Sequence, residues 1–202
     1  MRLIQLVSLG VVLAGISQAS TIFSTGVDPF GAALLAPFAV DTHYTRTTVT
    51  GPKVIVSTLP NPAWLANSPR SQWVDDTGNR DLNANESYFT TFTGTGATDN
   101  LSFYLGVDNR LMDILLNGNS LGLALPFTIA GNFTALHLFQ IGSSIGPGTI
   151  LSGSNTLEFR LQNEVGSDGG FRVEAVPEPA TFAMLGGGLV LLGILRRRKS
   201  IP

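Results

Sequence analysis

The clearest pattern in the chain is strict alternation. From Asn155 to Gln162, Leu157, Phe159 and Leu161 fall on one side and Glu158, Arg160 and Gln162 on the other. A period of two is the signature of a half-buried β-strand, because successive side chains point to opposite faces of the pleat. Phe171-Arg-Val-Glu-Ala175 repeats it. Further strands are predicted over 53–59, 86–93, 100–107, 113–116, 120–123 and 134–141. Within the last of these, the flanking leucines at 136 and 138 set His137 on the polar face. Gly94-Thr-Gly96 and Gly146-Pro-Gly148 read as turns. Asn117-Gly118 after Asp113-Ile-Leu-Leu116 predicts a tight hairpin, since a type I′ turn needs positive φ at both central residues. No stretch of the body carries a helical period. Many short strands between Gly/Pro turns predict an all-β antiparallel sandwich.

The two ends break this pattern. Met1-Arg2 followed by the apolar run 3–16 and Ser17-Gln18-Ala19 has the layout of a secretory signal helix, cut between Ala19 and Ser20 by signal peptidase. An uncleaved signal anchor is the alternative. At the other end, Pro177-Glu178-Pro179 precedes an apolar helix predicted over 180–195 and then Arg196-Arg197-Arg198-Lys199. The prolines hold the backbone extended. A basic cluster after an apolar helix stays on the cytoplasmic side of a membrane and stops transfer. The uncharged stretch 182–195 would span about 21 Å as a helix, short of the ~30 Å hydrocarbon core, and Gly186, Gly187, Gly188 and Gly193 weaken it further. Such a segment suits transient insertion in the inner membrane. The chain therefore divides into a signal peptide (1–19), a β-sandwich body (20–175) and a tail (176–202).

The tail, through Pro177, Glu178, Pro179, the short apolar segment and the closing cations, closely resembles the PEP-CTERM sorting tail of exported bacterial proteins. The resemblance implies an exosortase as processing partner and a destination at the cell surface or in an extracellular polysaccharide matrix. An ordinary membrane anchor is the alternative. The body, through Thr25-Gly-Val-Asp28, Ala39-Val-Asp-Thr-His-Tyr44, Pro62-Ala-Trp64, Ser71-Gln-Trp-Val74, Val107-Asp-Asn109, Asp113-Ile-Leu-Leu-Asn-Gly118, Gly153-Ser-Asn-Thr-Leu157 and Gly170-Phe-Arg-Val-Glu174, resembles the galactose-binding-like jelly rolls of carbohydrate-binding modules. That resemblance implies a sandwich and leaves the ligand open.

Charge and composition narrow the chemistry. Taking Arg2, the four tail cations and Glu178 away from 12 basic and 14 acidic residues leaves 7 and 13, a body near −6. A domain this acidic lacks the concentrated basic face that nucleic acid requires. With no cysteine, disulfides, thiolate metal sites and cysteine nucleophiles are excluded. Gly142-Ser-Ser-Ile-Gly146 matches a nucleophile elbow in letters only: Pro147-Gly148 follows where a helix must begin, so Ser144 is read as a loop residue. No pair of carboxylates has a spacing that sets it across a cleft, and the chain is read as non-enzymatic. His43 has no obvious partner for metal binding. Asp75-Asp76-Thr-Gly-Asn79 is an oxygen-rich loop read first as a solvated turn and second as a structural Ca²⁺ site. For carbohydrate, Trp64 in the loop Pro60–Pro69 is the candidate stacking ring, with Asn67, Arg70 and Asp108 as polar companions; packing of the loop is the competing role. Trp73 is assigned to the core. Two functions follow: a matrix or surface protein that binds carbohydrate, the cell's own exopolysaccharide, or a structural matrix component with no specific ligand.

Overall fold

The computed structural model describes residues 21–48, 51–53, 55–57, 61–76, 85–96, 99–126, 131–142, 150–163 and 169–176. These form eleven strands: β1 (Thr45–Thr48), β2 (Gly51–Lys53), β3 (Ile55–Ser57), β4 (Val74–Asp76), β5 (Asn85–Thr95), β6 (Leu101–Asp108), β7 (Arg110–Leu116), β8 (Asn119–Ser120), β9 (His137–Ile141), β10 (Ser152–Gln162) and β11 (Gly170–Ala175). Every strand pair is antiparallel. One sheet runs β2-β1-β5-β10-β7-β8 and the other β3-β4-β11-β6-β9. Among the described residues the protein is all-β, as the alternation predicts. The signal segment, the Pro-Glu-Pro motif, the apolar run with its cations, and Ser144 lie outside the described residues.

The alternating positions do what their spacing demands. Leu157, Phe159 and Leu161 of β10 enter the core, with Leu101, Phe103, Leu105 and Val107 of β6 and Phe171 and Val173 of β11. Aromatic rings bridge the two sheets. Phe159 meets Phe103 edge-on at 5.6 Å between centroids, and Phe171 stacks on Tyr88 of β5 at 4.4 Å. Offset and edge-to-face pairs of this kind add about 0.5–1.5 kcal/mol each beyond the area they bury. A buried ion cluster joins the sheets at one side: the Arg46 guanidinium of β1 reaches Asp75 of β4 at 2.7 Å and also contacts Glu86 of β5, lying over the Tyr88 ring. The hairpin at Asn117-Gly118 has φ of 52° and 81°, the two left-handed residues its sequence requires.

Two expectations change. The predicted strand 53–59 is two short pieces, β2 and β3, which belong to different sheets. In β9, Phe139 and Ile141 are buried while Leu138 is half exposed. The register pairs His137 with Leu105, which faces the core. His137 thus shares the inward side with Phe139 and Ile141 rather than the polar face. Leu136 lies on the opposite face, where its side chain meets Gly106.

Candidate functional site

Each sheet has an outer face, and the sequence treats the two differently. Over the five-stranded sheet lies the loop 61–73. Gly106 of β6 and Gly170 of β11 leave the room it needs: a Cβ at Gly170 would fall 2.4 Å from the Trp64 ring, and one at Gly106 would fall 3.0 Å from Trp73. The two indoles lie 4.7 Å apart. Trp64 Nε1 donates to Asp108 Oδ2 at 2.8 Å, and Trp73 Nε1 donates to the Leu65 carbonyl at 2.7 Å. Trp73 is fully buried, though on the outside of the sheet and not in the central core.

The same loop is pinned by charge. Arg172 Nε donates to Ser71 Oγ at 2.8 Å and its Nη1 to the Ala66 carbonyl at 2.7 Å. Ser68 and Ser71 hydroxyls both donate to Glu174 Oε2, at 2.7 and 2.9 Å, and Arg70 closes over Glu174 Oε1 at 2.7 Å. Burial pushes the Glu174 carboxyl up, but the two hydroxyls and the charges of Arg70 and Arg172 outweigh it and hold it below the usual range. Burial lowers the Arg172 guanidinium, with Glu174 opposing.

All four residues singled out for sugar contact lie in or against this lid. Trp64 is 7% exposed, so it presents no free ring face to a pyranose. Its partner is Asp108, which is buried beside it. Asn67 Oδ1 accepts the Trp73 amide at 3.1 Å, and Arg70 is engaged with Glu174. The proline-rich loop reads as an exposed platform in sequence; here it folds back because glycines at 106 and 170 make space for its rings. Asp75 of the oxygen-rich loop is paired with Arg46, and positions 77–79 lie outside the described residues. Among the described residues no three His, Asp or Glu side chains converge as a metal site.

Among the described residues no such lid covers the outer face of the six-stranded sheet. A trough of about 570 Å³ lies there, lined by Asn85, Ser87, Met112, Asp113, Glu158 and Arg160. Three strands build it. The pairing of β10 with β7 shifts register after Arg160, leaving Met112 as the extra residue. A bulge of this kind bends the strand and re-aims its side chains, and Met112 and Asp113 both face out in succession. Arg160 stands opposite Asp113 on one side and Ser87 on the other. Its Nε donates to Glu158 Oε1 at 2.7 Å, and Ser87 Oγ donates to the same oxygen at 2.8 Å. The hydrogen bond to Glu158 raises the affinity of Arg160 for its proton, with desolvation opposing. The result is a row of fixed donors and acceptors, open to solvent and flanked by one thioether. The alternation of 155–162 placed Glu158 and Arg160 outward; the bulge at Met112 leaves no mark in the sequence.

The comparisons with known proteins bear on the tail and the body separately. Residues 175–199 match the PEP-CTERM protein-sorting motif. The chain thus carries a signal that directs export across the inner membrane, exosortase processing and a cell-surface or extracellular destination. No curated protein sequence matches the chain. Among solved structures, a family 35 carbohydrate-binding module from an environmental isolate is similar at 12% identity over 60% of this chain and 83% of its own, with a TM-score of 0.39. A family 35 module from Clostridium thermocellum is similar at 14% identity over 60% and 88%, TM-score 0.34. A GH31 alpha-xylosidase from Xanthomonas citri is similar at 11% identity over 82% of this chain and 16% of its own, TM-score 0.31. The architecture stated above rests on the strand pairing and not on these likenesses.

Proposed function

We propose that the protein is an exosortase-sorted surface or matrix component whose non-enzymatic β-sandwich, of jelly-roll type, holds a polysaccharide chain in the trough of the six-stranded sheet. The observation that carries the reading is the uncovered polar row Asp113–Arg160–Ser87, with Glu158 bonded into it. Neighbouring strands are ~4.8 Å apart, close to the length of one pyranose unit. A glycan laid across β7, β10 and β5 would therefore meet one strand's polar groups at each sugar. Arg160 and Ser87 serve hydroxyl oxygens, Asp113 and Glu158 serve hydroxyl protons, and Met112 covers a C–H face.

A glycan array and calorimetry against the host's own exopolysaccharide test this. Saturable binding lost in Arg160→Ala is the expected result. Binding to no glycan in any preparation overturns it and leaves the structural matrix role.

Processing is part of the same proposal: signal peptidase cuts between Ala19 and Ser20, and the exosortase reads Pro177-Glu178-Pro179 while Arg196–Lys199 hold the tail in the membrane. An intact mass from an exosortase-bearing host should lack residues 1–19 and the tail, and Glu178→Ala should retain the tail. A mature species still carrying the cations in both forms would reduce the tail to a plain anchor.

A further inference from the structure

Among the described residues, the segment 21–44 carries the largest group of exposed apolar side chains: Phe23, Phe30, Leu34, Phe38 and Val40, with Phe30 85% exposed. It is a fixed turn, not a loose one. Asp28 Oδ1 accepts the amides of Phe30 and Ala32 at 3.1 and 2.8 Å, and the Gly31 amide returns to the Asp28 carbonyl at 2.8 Å. His43 Nε2 donates to that same carbonyl at 2.8 Å while its ring stacks on Phe23 at 3.8 Å. Phe23 in turn lies over Gly31. The domain gains no core from Phe30, and a group of exposed apolar side chains held on a rigid turn is the kind of patch that marks an interaction surface.

The place where the chain leaves the fold says which partner. A depression of about 250 Å³ is lined by Thr21, Gly31, Ala32, Ala33, Arg70 and Val176, among others. Val176, whose amide still bonds to the Ser102 carbonyl at 3.3 Å, is the last described residue before the sorting motif. The apolar run begins four residues later, at Ala180. Four residues span at most about 14 Å however they are arranged. The headgroup layer on each side of the hydrocarbon is itself roughly 5–8 Å deep. Once the tail has entered the bilayer, Val176 therefore lies no more than about 14 Å from the hydrocarbon edge, within reach of the headgroup layer, where apolar faces bearing phenylalanine bind.

We propose that this corner, with Phe30 at its tip and Phe23 behind it, rests in the lipid interface while the tail is uncut, and so orients the body for cleavage at Pro-Glu-Pro. The proposal depends on the tail's membrane stage. The absence of native cysteine makes it directly testable with single-cysteine fluorophores on the chain with its tail intact, in phosphatidylcholine–phosphatidylglycerol vesicles carrying nitroxide lipids. Probes would sit at Ala32→Cys beside the patch, at Ala135→Cys at the other end of the five-stranded sheet, and at Leu189→Cys in the tail. Several-fold stronger quenching at 32 than at 135, reduced by adding Phe30→Ser, is expected. Equal quenching at 32 and 135 with the tail probe quenched overturns the contact and leaves the tail reading standing. An unquenched tail probe overturns the membrane stage and the contact together.

Discussion

Two outward-facing Arg–Glu pairs sit two residues apart on one strand each, Glu158/Arg160 on β10 and Arg172/Glu174 on β11. Their letters and spacing are nearly the same, and their circumstances are opposite. The Arg160 side chain is 52% exposed and Arg172 is 1% exposed. What separates them is the cover: Trp64, Trp73 and the loop between them close over β11, and no described segment closes over β10. A charged pair under a lid needs every lone pair and proton answered, and Ser68, Ser71, Ala66 and Arg70 answer them. An uncovered pair keeps its water and can exchange it for another hydroxyl-rich ligand. The same chemistry is a clamp on one face and an open polar row on the other.

The largest effect comes from breaking the clamp. Arg172→Ala takes the buried donor from Ser71 Oγ and the Ala66 carbonyl and leaves Glu174 to the exposed Arg70, and the lost charge-assisted hydrogen bonds, about 1.5–3 kcal/mol each, together cost about 3–5 kcal/mol. For a domain of this size that lowers Tm by roughly ten degrees or more, measurable by calorimetry. Gly170→Ala attacks the lid itself. Its methyl would stand where the Trp64 ring lies, and overpacking of this kind costs about 1–3 kcal/mol; rising indole fluorescence exposure with the fall in Tm would mark the loop lifting off.

Acid should separate the faces next. The Glu174 carboxyl titrates lower when folded than its ordinary 4.5. The stability it contributes is present above pH 4.5 and is lost as pH falls through the lower folded value. Glu174→Gln should therefore flatten the acid limb of a stability–pH curve below 4.5. Asp41 has the opposite sign: burial raises its carboxyl despite the amides of Gly26 and His43, so its contribution is lost as pH rises instead. An unchanged acid limb in Glu174→Gln would remove the clamp from the account. The smallest effect belongs to Arg160→Ala. An exposed pair is worth about 0–1 kcal/mol, so Tm should hardly move; if it falls as far as in Arg172→Ala, the two faces do not differ as described.

Much of the sheet framework was legible. β10 and β11 were written in alternating residues, and Asn117-Gly118 announced its hairpin. The part that was not legible is long-range. Alternation assigns Arg172 and Glu174 to a polar face but cannot say that a loop a hundred residues earlier will seal that face. Trp64 in a proline-rich stretch looks exposed until glycines at 106 and 170 open a seat for it. Met112 joins the trough only because β7 carries one residue more than β10 at that point. The turn at Asp28–Gly31 is local and was readable in principle, from Asp-Pro-Phe-Gly, a turn sequence with an aromatic at its tip.

The position of β11 has a mechanical consequence. It is the third of five strands, hydrogen-bonded to β6 along six residue pairs and to β4 beyond it. It is also the strand from which the chain departs. A tension applied at the carboxyl end enters along the axis of an interior strand. Antiparallel bonds lie perpendicular to that axis, so the pull loads them together in shear and cannot peel them one at a time. Thr25, whose amide and hydroxyl both engage the Val173 carbonyl, and Ser24, which accepts the Ala175 amide at 3.0 Å, lash the start of the body to the same strand. The strand that leads into the sorting motif is thus set in the middle of a sheet and tied to the start of the body.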